Sequence, residues 1–491
     1  MRQVHSPAMK TKFHRSVLWI AAAALLAGCS GAATAPAPAA PAATEPPAAE
    51  AAPTETTAPV ESAGAAEVVT WYQFDDKNED PKNDEAVGNT YVRESIAQFD
   101  ADMAGKFKLV NQPQPFNKMT TALIAAVQAG GEVPDVMQSG LDTMPLFLKN
   151  DALEDLTDWA KAQPWFASLD ANALAGCTGP DGRIYCIPGA VTAHAVYYWK
   201  DHFPAGFPKT PEDFLTQAEA LKQKNVYAIT FFGNGTVFDG DATSRMFWMI
   251  TSSYGGKWDD GQGRMLLNTP ENVEAIKMLR TIVEKGYSSE DVFLGDFKEE
   301  NKFKTSEAAS FPTGVFVYRY LQPLKSPTGK EFGKDFDPTG GPMKDAVAAG
   351  DMQVAPMFAP AGKTPGCNAN ASTLIVPKGA KNLAGAQAYI NWVLTQPNYS
   401  KWVKTVGGGA PALKSGYEDP EFGVPYYTET AKATEGHCRP WNGSLVDVAS
   451  ARKIIAGVYF DLIKGAEAQN PDIAAVLTRA QEEYNKLLES N

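Results

Sequence analysis

Only five of the 491 residues are histidine, and three of these, His194, His202 and His437, lie beyond residue 28. None stands three or four residues from another, so a zinc or iron site built from histidines has no support in the pattern, and no metal or cofactor is expected. Cysteine is equally scarce at five, with no close pair of the zinc-knuckle kind. The chain has no Gly-x-Ser-x-Gly nucleophile turn and no Walker-type glycine loop. Basic residues are outnumbered, 44 against 57, for a formal charge of −13, which argues against nucleic acid and other polyanions as partners. The acidic run Asp75, Asp76, Glu79, Asp80, Asp84 lacks the glycine and closing glutamate of a calcium loop and reads as a solvated loop. After the first 28 residues no apolar segment is long enough to span a bilayer.

What is present begins with Arg2, Lys10, Lys12 and Arg15 ahead of a short apolar run, Val17 to Leu26, then Ala27-Gly28-Cys29. A basic start, an apolar stretch too short for a membrane span and small residues before a cysteine describe an export signal. The segment resembles a bacterial lipoprotein signal, which implies that residues 1–28 are removed and that Cys29 carries the lipid. The protein is then expected outside the cytoplasm, held to the cell membrane by that lipid. Losing the four basic residues of the signal takes the charge from −13 to −17. Residues 29–66 follow as a tether. From Ser30 to Ala66 the composition is Ala, Pro, Thr, Glu, Gly and Ser, with Val60 the only larger aliphatic and no aromatic. Such a segment buries too little surface to offset the entropy of ordering. Its reach is roughly 35 Å as coil and on the order of 100 Å if extended.

From Glu67 onward the composition is globular and long enough for two lobes. Four cysteines remain, an even number in an exported protein, and they are expected to pair in one of three ways. Thr178-Gly179-Pro180-Asp181-Gly182-Arg183 reads as a turn that sets Cys177 beside Cys186, which leaves Cys367 for Cys438; four free buried thiols are the other reading. Val68 to Phe74 reads as a buried strand, Tyr91 to Met103 as a helix, Phe107 to Val110 as a strand, Met119 to Ala129 as a helix, and Pro134 to Met137 as a strand. Alternation of this kind predicts parallel strands with crossover helices. Asn272–Glu284, Ala384–Leu394, Val448–Lys464 and Ile473–Leu488 read as further helices.

The order of several segments resembles the maltose-binding-like solute-binding proteins of ABC importers. Gly131-Glu132-Val133-Pro134-Asp135-Val136 is followed by Asp151-Ala152-Leu153-Glu154-Asp155-Leu156, similar to the family's leucine-rich helix. Gly182-Arg183-Ile184-Tyr185-Cys186-Ile187-Pro188 then leads to Tyr197-Tyr198-Trp199-Lys200-Asp201, with Trp199 where the family has Asn. Pro208 to Phe214 resembles a family helix start, with Thr210 as cap and Pro211 in the first turn. Tyr254-Gly255-Gly256, Asn268 to Glu271 and Gly408-Gly409-Ala410-Pro411 follow in order. The resemblance implies an α/β chain of two lobes, the type II periplasmic-binding-protein-like fold, with a ligand cleft between lobes joined by hinge strands. The N-terminal lobe would hold residues 67–190 and 372–410, and the C-terminal lobe 191–371 and 411–491. Chain crossings are expected near Pro188–His194, Pro356–Ser372 and Gly409–Lys414.

A cleft for sugars needs flat rings and planar polar groups. Trp71 and Tyr72 end the first strand, where one is expected to face the cleft and the other the core. Trp441 and Phe316 stand where the resemblance implies stacking rings, Trp248 is a weaker aromatic candidate, and Asp135 and Asp142 are candidate carboxylates. Arg245 and His194 complete the expected ligand-binding set. The resulting expectation is a monomeric, non-catalytic binding protein that closes on a sugar or oligosaccharide and delivers it to an ABC permease. Alternatives are a polyamine or glycerol phosphate ester as ligand, a surface-anchored glycoside hydrolase, or a sensor module that presents its closed form to a receptor.

Overall fold

A computed structural model describes residues 64–80, 85–234, 240–295, 298–334, 337, 341–435 and 438–489. The export signal, Cys29, the tether up to residue 63 and His437 lie outside the described residues.

The first strand, β1 (Ala66–Trp71), is flanked in parallel by β2 (Phe107–Asn111) and β3 (Val136–Gly140), with Val68 opposite Leu109 and Thr70 opposite Val136. Crossover helices Ala86–Asp102 and Phe116–Ala129 connect them, as the alternation of patterns predicts. Gly130 ends the second helix in a left-handed conformation, which glycine adopts without strain.

The sheet then changes character. Strand β4 (Ile187–Trp199) is 13 residues long and nearly all buried, too uniformly apolar to show alternation. Downstream come β5 (Ser310–Gly314), the small hairpin of β6 (Leu324–Lys325) and β7 (Glu331–Phe332), β8 (Met352–Ala355), β9 (Cys367–Ile375), β10 (Ala410–Pro411) and β11 (Cys438–Arg439). From Ile187 to Ala193, β4 lies antiparallel to β9 and β10; from His194 onward it lies antiparallel to β5 and β8. One strand thus serves two groups of strands, and β9 joins it to β3. The parallel pairing expected from the first elements gives way after β3 to antiparallel pairing of β9 with β3 and β4, although several helices lie in the chain between β4 and β9, and β9 pairs in parallel with β11.

Thr210 caps the helix Pro211–Lys222, its hydroxyl accepting from the Asp213 N–H at 3.2 Å, with Pro211 in the first turn. The expectation of a leucine-rich helix at Asp151–Leu156 is not met. The helix, Met144–Lys149, comes just before; Asp151 then takes a positive φ of 49°, and Leu153 bridges to Pro377. The leucines are buried as expected, but by an extended segment.

Both expected disulfides are present. Cys177 and Cys186 close the turn between them, with Cα atoms 4.9 Å apart. Cys367 and Cys438 join β9 to β11 across a parallel pair. The second bridge closes a loop of 71 residues, and chain entropy gives such a cross-link about 4 kcal/mol. The double variant Cys367→Ser/Cys438→Ser is expected to unfold about 5 °C lower in calorimetry; an unchanged midpoint would show that the bridge adds no stability.

Candidate functional site

His194 sits where β4 leaves β9 and takes up β5, opposite Gly314. The side chains around it come from both groups of strands. On β9, Cys367-Asn368-Ala369-Asn370 places two amides on one face, because alternate residues of a strand point the same way. Asn368 Nδ2 lies 3.3 Å from His194 Nδ1, and its Oδ1 accepts from the Trp441 N–H at 3.1 Å. Asn370 Oδ1 accepts from the Leu141 N–H at 2.8 Å in the turn that follows β3. Asn442 Nδ2 closes the ring by donating to the Asp142 carbonyl at 3.1 Å.

Two glycines are required here. A Cβ on Gly140 would come within 2.5 Å of Asp142 Oδ1, and one on Gly443 within 2.1 Å of Asp259 Oδ2. The first lets the turn bring Asp142 against Asn370. The second, at a φ of +48°, turns the chain just after Trp441 and Asn442.

The helix Asp241–Ser253 brings the charges. Arg245 Nη2 lies 2.7 Å from Asp241 Oδ2 and 3.7 Å from Asp142 Oδ2, and Arg452 Nη1 lies 3.7 Å from Asp241 Oδ1. Two carboxylates and two guanidinium groups therefore balance. Burial pushes the Asp241 carboxyl above its usual range, opposed by Arg245 and reinforced by Asp142. Burial, with the Arg245 charge beside it, lowers His194 to about 3. The imidazole is thus neutral at ordinary pH and able to donate from one nitrogen and accept at the other.

Aromatic rings border the cluster in two groups. The Phe316 ring stands edge-on to His194 at 5.8 Å, and Trp441 stands edge-on to Trp258 at 6.1 Å, which packs on Trp248 at 5.1 Å. Buried polar atoms with no hydrogen-bond partner among the described residues gather in this region, among them Trp441 Nε1, Trp248 Nε1, Arg245 Nε, Asn442 Oδ1, Asp241 Oδ1 and Arg452 Nε. Buried polar groups are seldom left this way in a folded protein unless something else meets them.

Of the expected site residues, Asp142, His194, Arg245, Trp248, Phe316 and Trp441 fall in this region. Three do not join it. Tyr72 is 1% exposed, and its hydroxyl is bonded to Tyr389 at 3.0 Å and to Trp402 Nε1 at 3.3 Å, so it belongs to the core. Trp71, on the opposite face of β1 as alternation demands, packs with Met119, Met137, Met144 and Phe147 and gives its indole N–H to Gln112. Asp135 is a backbone clamp: its two oxygens accept from the N–H groups of Val69 and Asn382, each at 2.8 Å, fastening β1 to the start of the helix Leu383–Val393. Sequence reading missed Asn368, Asn370, Asn442, Asp241 and Arg452. Asn-x-Asn on a strand was a signal for the first two; Asp241 four residues before Arg245 was one for the ion pair.

Comparison with known proteins gives this arrangement a setting. The pattern of bacterial extracellular solute-binding proteins matches residues 94–431. The chain belongs to that family. An arabinooligosaccharide-binding protein of Halalkalibacterium halodurans is 28% identical over 189 residues, 36% of this chain and 39% of the relative. The chain spans about half or less of the length of the curated relatives it matches. The GacH receptor of Streptomyces glaucescens, solved unliganded and with acarbose, superposes with a TM-score of 0.66 at 17% identity, over 87% of this chain and 99% of that one. UgpB of Mycobacterium tuberculosis, solved with glycerophosphocholine, superposes with a TM-score of 0.64 at 18% identity, over 87% and 99%. The fold is therefore the two-lobe α/β fold of periplasmic binding proteins, and His194 lies where β4 exchanges β9 for β5.

The neutral His194 has a measurable consequence. Below pH 6.5 the unfolded chain takes up a proton there that the folded chain refuses until about pH 3, so this residue makes the protein less stable as pH falls. In urea unfolding, wild type is expected to lose about 1.4 kcal/mol more per pH unit than His194→Gln between pH 6 and pH 4. Equal losses would show that His194 is not held neutral.

Proposed function

We propose that this solute-binding protein closes on a neutral, hydroxyl-rich solute, a sugar or short oligosaccharide, and passes it to the membrane subunits of an ABC importer. It would work as a monomer outside the cytoplasm, tethered by lipid on Cys29. No reaction is part of this role.

The observation that carries the reading is the balance of the hinge cluster. Within the ion-paired set, two carboxylates, Asp142 and Asp241, face two guanidinium groups, Arg245 and Arg452. A phosphate ester would meet two carboxylates and a polyamine two guanidinium groups, each at a desolvation cost. Sugar hydroxyls donate and accept at once. They match a neutral imidazole, two indole N–H donors, a free Asn442 carbonyl oxygen and the Arg245 Nε. Trp441 and Phe316 supply the flat apolar faces that the C–H side of a sugar ring prefers. The saccharide named for the Halalkalibacterium relative and the acarbose held by GacH support this class. The glycerophosphocholine of UgpB supports a second reading, since a zwitterion also carries no net charge.

Closure follows from the placement of the groups. Asp142 belongs to the turn after β3, whereas Arg245 and Trp441 belong to elements beyond β4, so a ligand touching all three gains its full set of contacts only when the halves meet. Such a ligand shifts the population toward the closed form by its difference in affinity for the two states.

Thermal unfolding against neutral oligosaccharides, glycerophosphocholine, glycerol phosphates and polyamines tests the ligand class. At about 1,000 times its dissociation constant the right solute adds roughly 4 kcal/mol, some 5 °C for a chain of this size. The shift is expected with a neutral saccharide and is expected to shrink in Trp441→Phe, which keeps the ring but loses the indole N–H. A shift confined to polyamines or glycerol phosphates would overturn the reading. For the anchor, Cys29→Ser is expected to move the protein from the membrane fraction to the soluble fraction; retention on membranes would count against lipidation.

A further inference from the structure

We propose that Glu421 is a positioning residue for closure: it is the shared carboxylate of an ionic strap that ties the strands β1–β3 to the strands β5 and β8. The strap shares no residue with the hinge cluster. Its effect on affinity rests on the solute-binding reading above, and makes the ionic strength of the medium a control on that affinity.

Lys404 belongs with the first strands. It follows the helix Asn398–Trp402, whose Trp402 Nε1 donates to the Tyr72 hydroxyl just beyond β1 at 3.3 Å. Two residues on, the Val406 carbonyl accepts from Gln138 of β3 at 3.3 Å. Tyr318 and Lys344 belong with the second strands. The turn Val315–Arg319 follows β5, and the helix Gly341–Ala348 precedes β8 and packs against it. Residues 410–424 run between the two, from β10 to the helix Pro425–Thr434. Tyr426 on that helix stacks on Tyr197 of β4 at 5.6 Å and donates to the Val315 carbonyl at 2.6 Å.

Glu421 stands in this connecting segment. One of its oxygens lies 2.5 Å from Lys344 Nζ and the other 2.9 Å from Lys404 Nζ. Asp419 adds a second carboxylate to Lys404 at 2.6 Å. The Lys404 carbonyl accepts from the Tyr318 hydroxyl at 3.1 Å and from Arg319 Nη2 at 3.4 Å. Gly408 permits that approach, since a Cβ there would stand 3.0 Å from Arg319 Nη2. Lys344 Nζ also lies 4.5 Å from the centre of the Tyr318 ring, a cation–π contact. Burial would raise the Glu421 carboxyl, but its bonds to the two lysines hold it below its usual range.

Two ammonium groups from opposite sides of the hinge thus share one carboxylate. With it they are drawn together, and without it they repel. In the same structure Asp142, after β3, lies 3.7 Å from Arg245 and its carbonyl accepts from Asn442. Strap and cleft contacts therefore belong to one conformation, and whatever weakens the strap disfavours that conformation. The side chains of Lys344, Asp419, Lys404 and Glu421 are between 14% and 33% exposed, so dissolved salt reaches them.

Small-angle scattering of the unliganded mature chain reads the closure itself. Calorimetric titration with maltotriose, xylotriose and arabinotriose reads its effect on affinity. Glu421→Gln is expected to raise the radius of gyration and to weaken saccharide binding about fivefold. Wild type should show the same two changes between about 0.1 M and about 1 M sodium chloride, over which the Debye length falls from about 10 to about 3 Å. The variant should show neither. Adding Lys344→Gln to Glu421→Gln removes the repulsion and should recover part of both changes, which a general loss of structure would not do. Lys381→Gln, which breaks the exposed pair with Glu132, should leave both readings at their wild-type values. Thermal unfolding checks that each variant folds; if Glu421→Gln does not, Lys344→Gln alone takes its place with the same two changes expected. An unchanged radius of gyration in the variant overturns the strap, and a shifted radius with unchanged affinity overturns its control of binding. If the radius shifts but no saccharide binds, the strap stands and the ligand reading falls.

Discussion

Thirteen residues of β4 bond to four other strands, and the exchange of partners at Ala193 and His194 fixes where everything else can go. On one side of that point the strand belongs with β9, β3 and β1; on the other with β5 and β8. A strand cannot rotate about its axis without breaking its ladder bonds on both sides. The groups placed at the exchange are therefore the best located in the molecule relative to both halves. His194 is there, and the amides of Asn368 and Asn370 lie beside it. From these two amides hang the turn carrying Asp142 and the loop carrying Trp441. The cluster is held by backbone N–H donors binding strand-borne side chains, an arrangement that keeps two distant segments in register without a large apolar contact between them.

Much of this was legible from periodicity. The first three strands and their helices, the capped helix at Thr210, the late helices and the two disulfides could be read because each is specified within its own stretch: a run of β-branched residues, a cap followed by proline, a turn between two cysteines. The exchange of partners in β4 was not, because Ile187–Trp199 is buried on both faces and shows the same apolar monotony whichever strands lie alongside. Asp151–Leu156 misled for a related reason. Its leucines have a spacing that a helix and an irregular buried segment satisfy equally, and only Asp151, in a left-handed conformation, separates the two.

The site was half legible. Asp142 and Trp441 could be singled out because charged and aromatic residues in glycine-bordered loops are rarely there for packing alone, and Arg245 because it is a cation in a chain short of them. Asp135 and Tyr72 carry the same marks yet serve the scaffold. The difference is where their polar atoms end: Asp135 in two backbone N–H groups, Tyr72 in a buried hydroxyl pair. Destinations of hydrogen bonds are long-range facts that no local pattern encodes. The asparagines failed in the opposite sense, since an amide on a strand looks like ordinary surface until its partners, more than 70 residues away, are known.

The bridge between Cys367 and Cys438 stands one residue before Asn368 and three before Trp441. The loop that carries the buried Trp441 and Asn442 is thereby stitched to β9. Its freedom is surrendered once, when the thiols are oxidised. Oxidation thus sets how tightly Trp441 and Asn442 are held beside Asn368, and a chain kept reduced would hold the same residues with a looser grip.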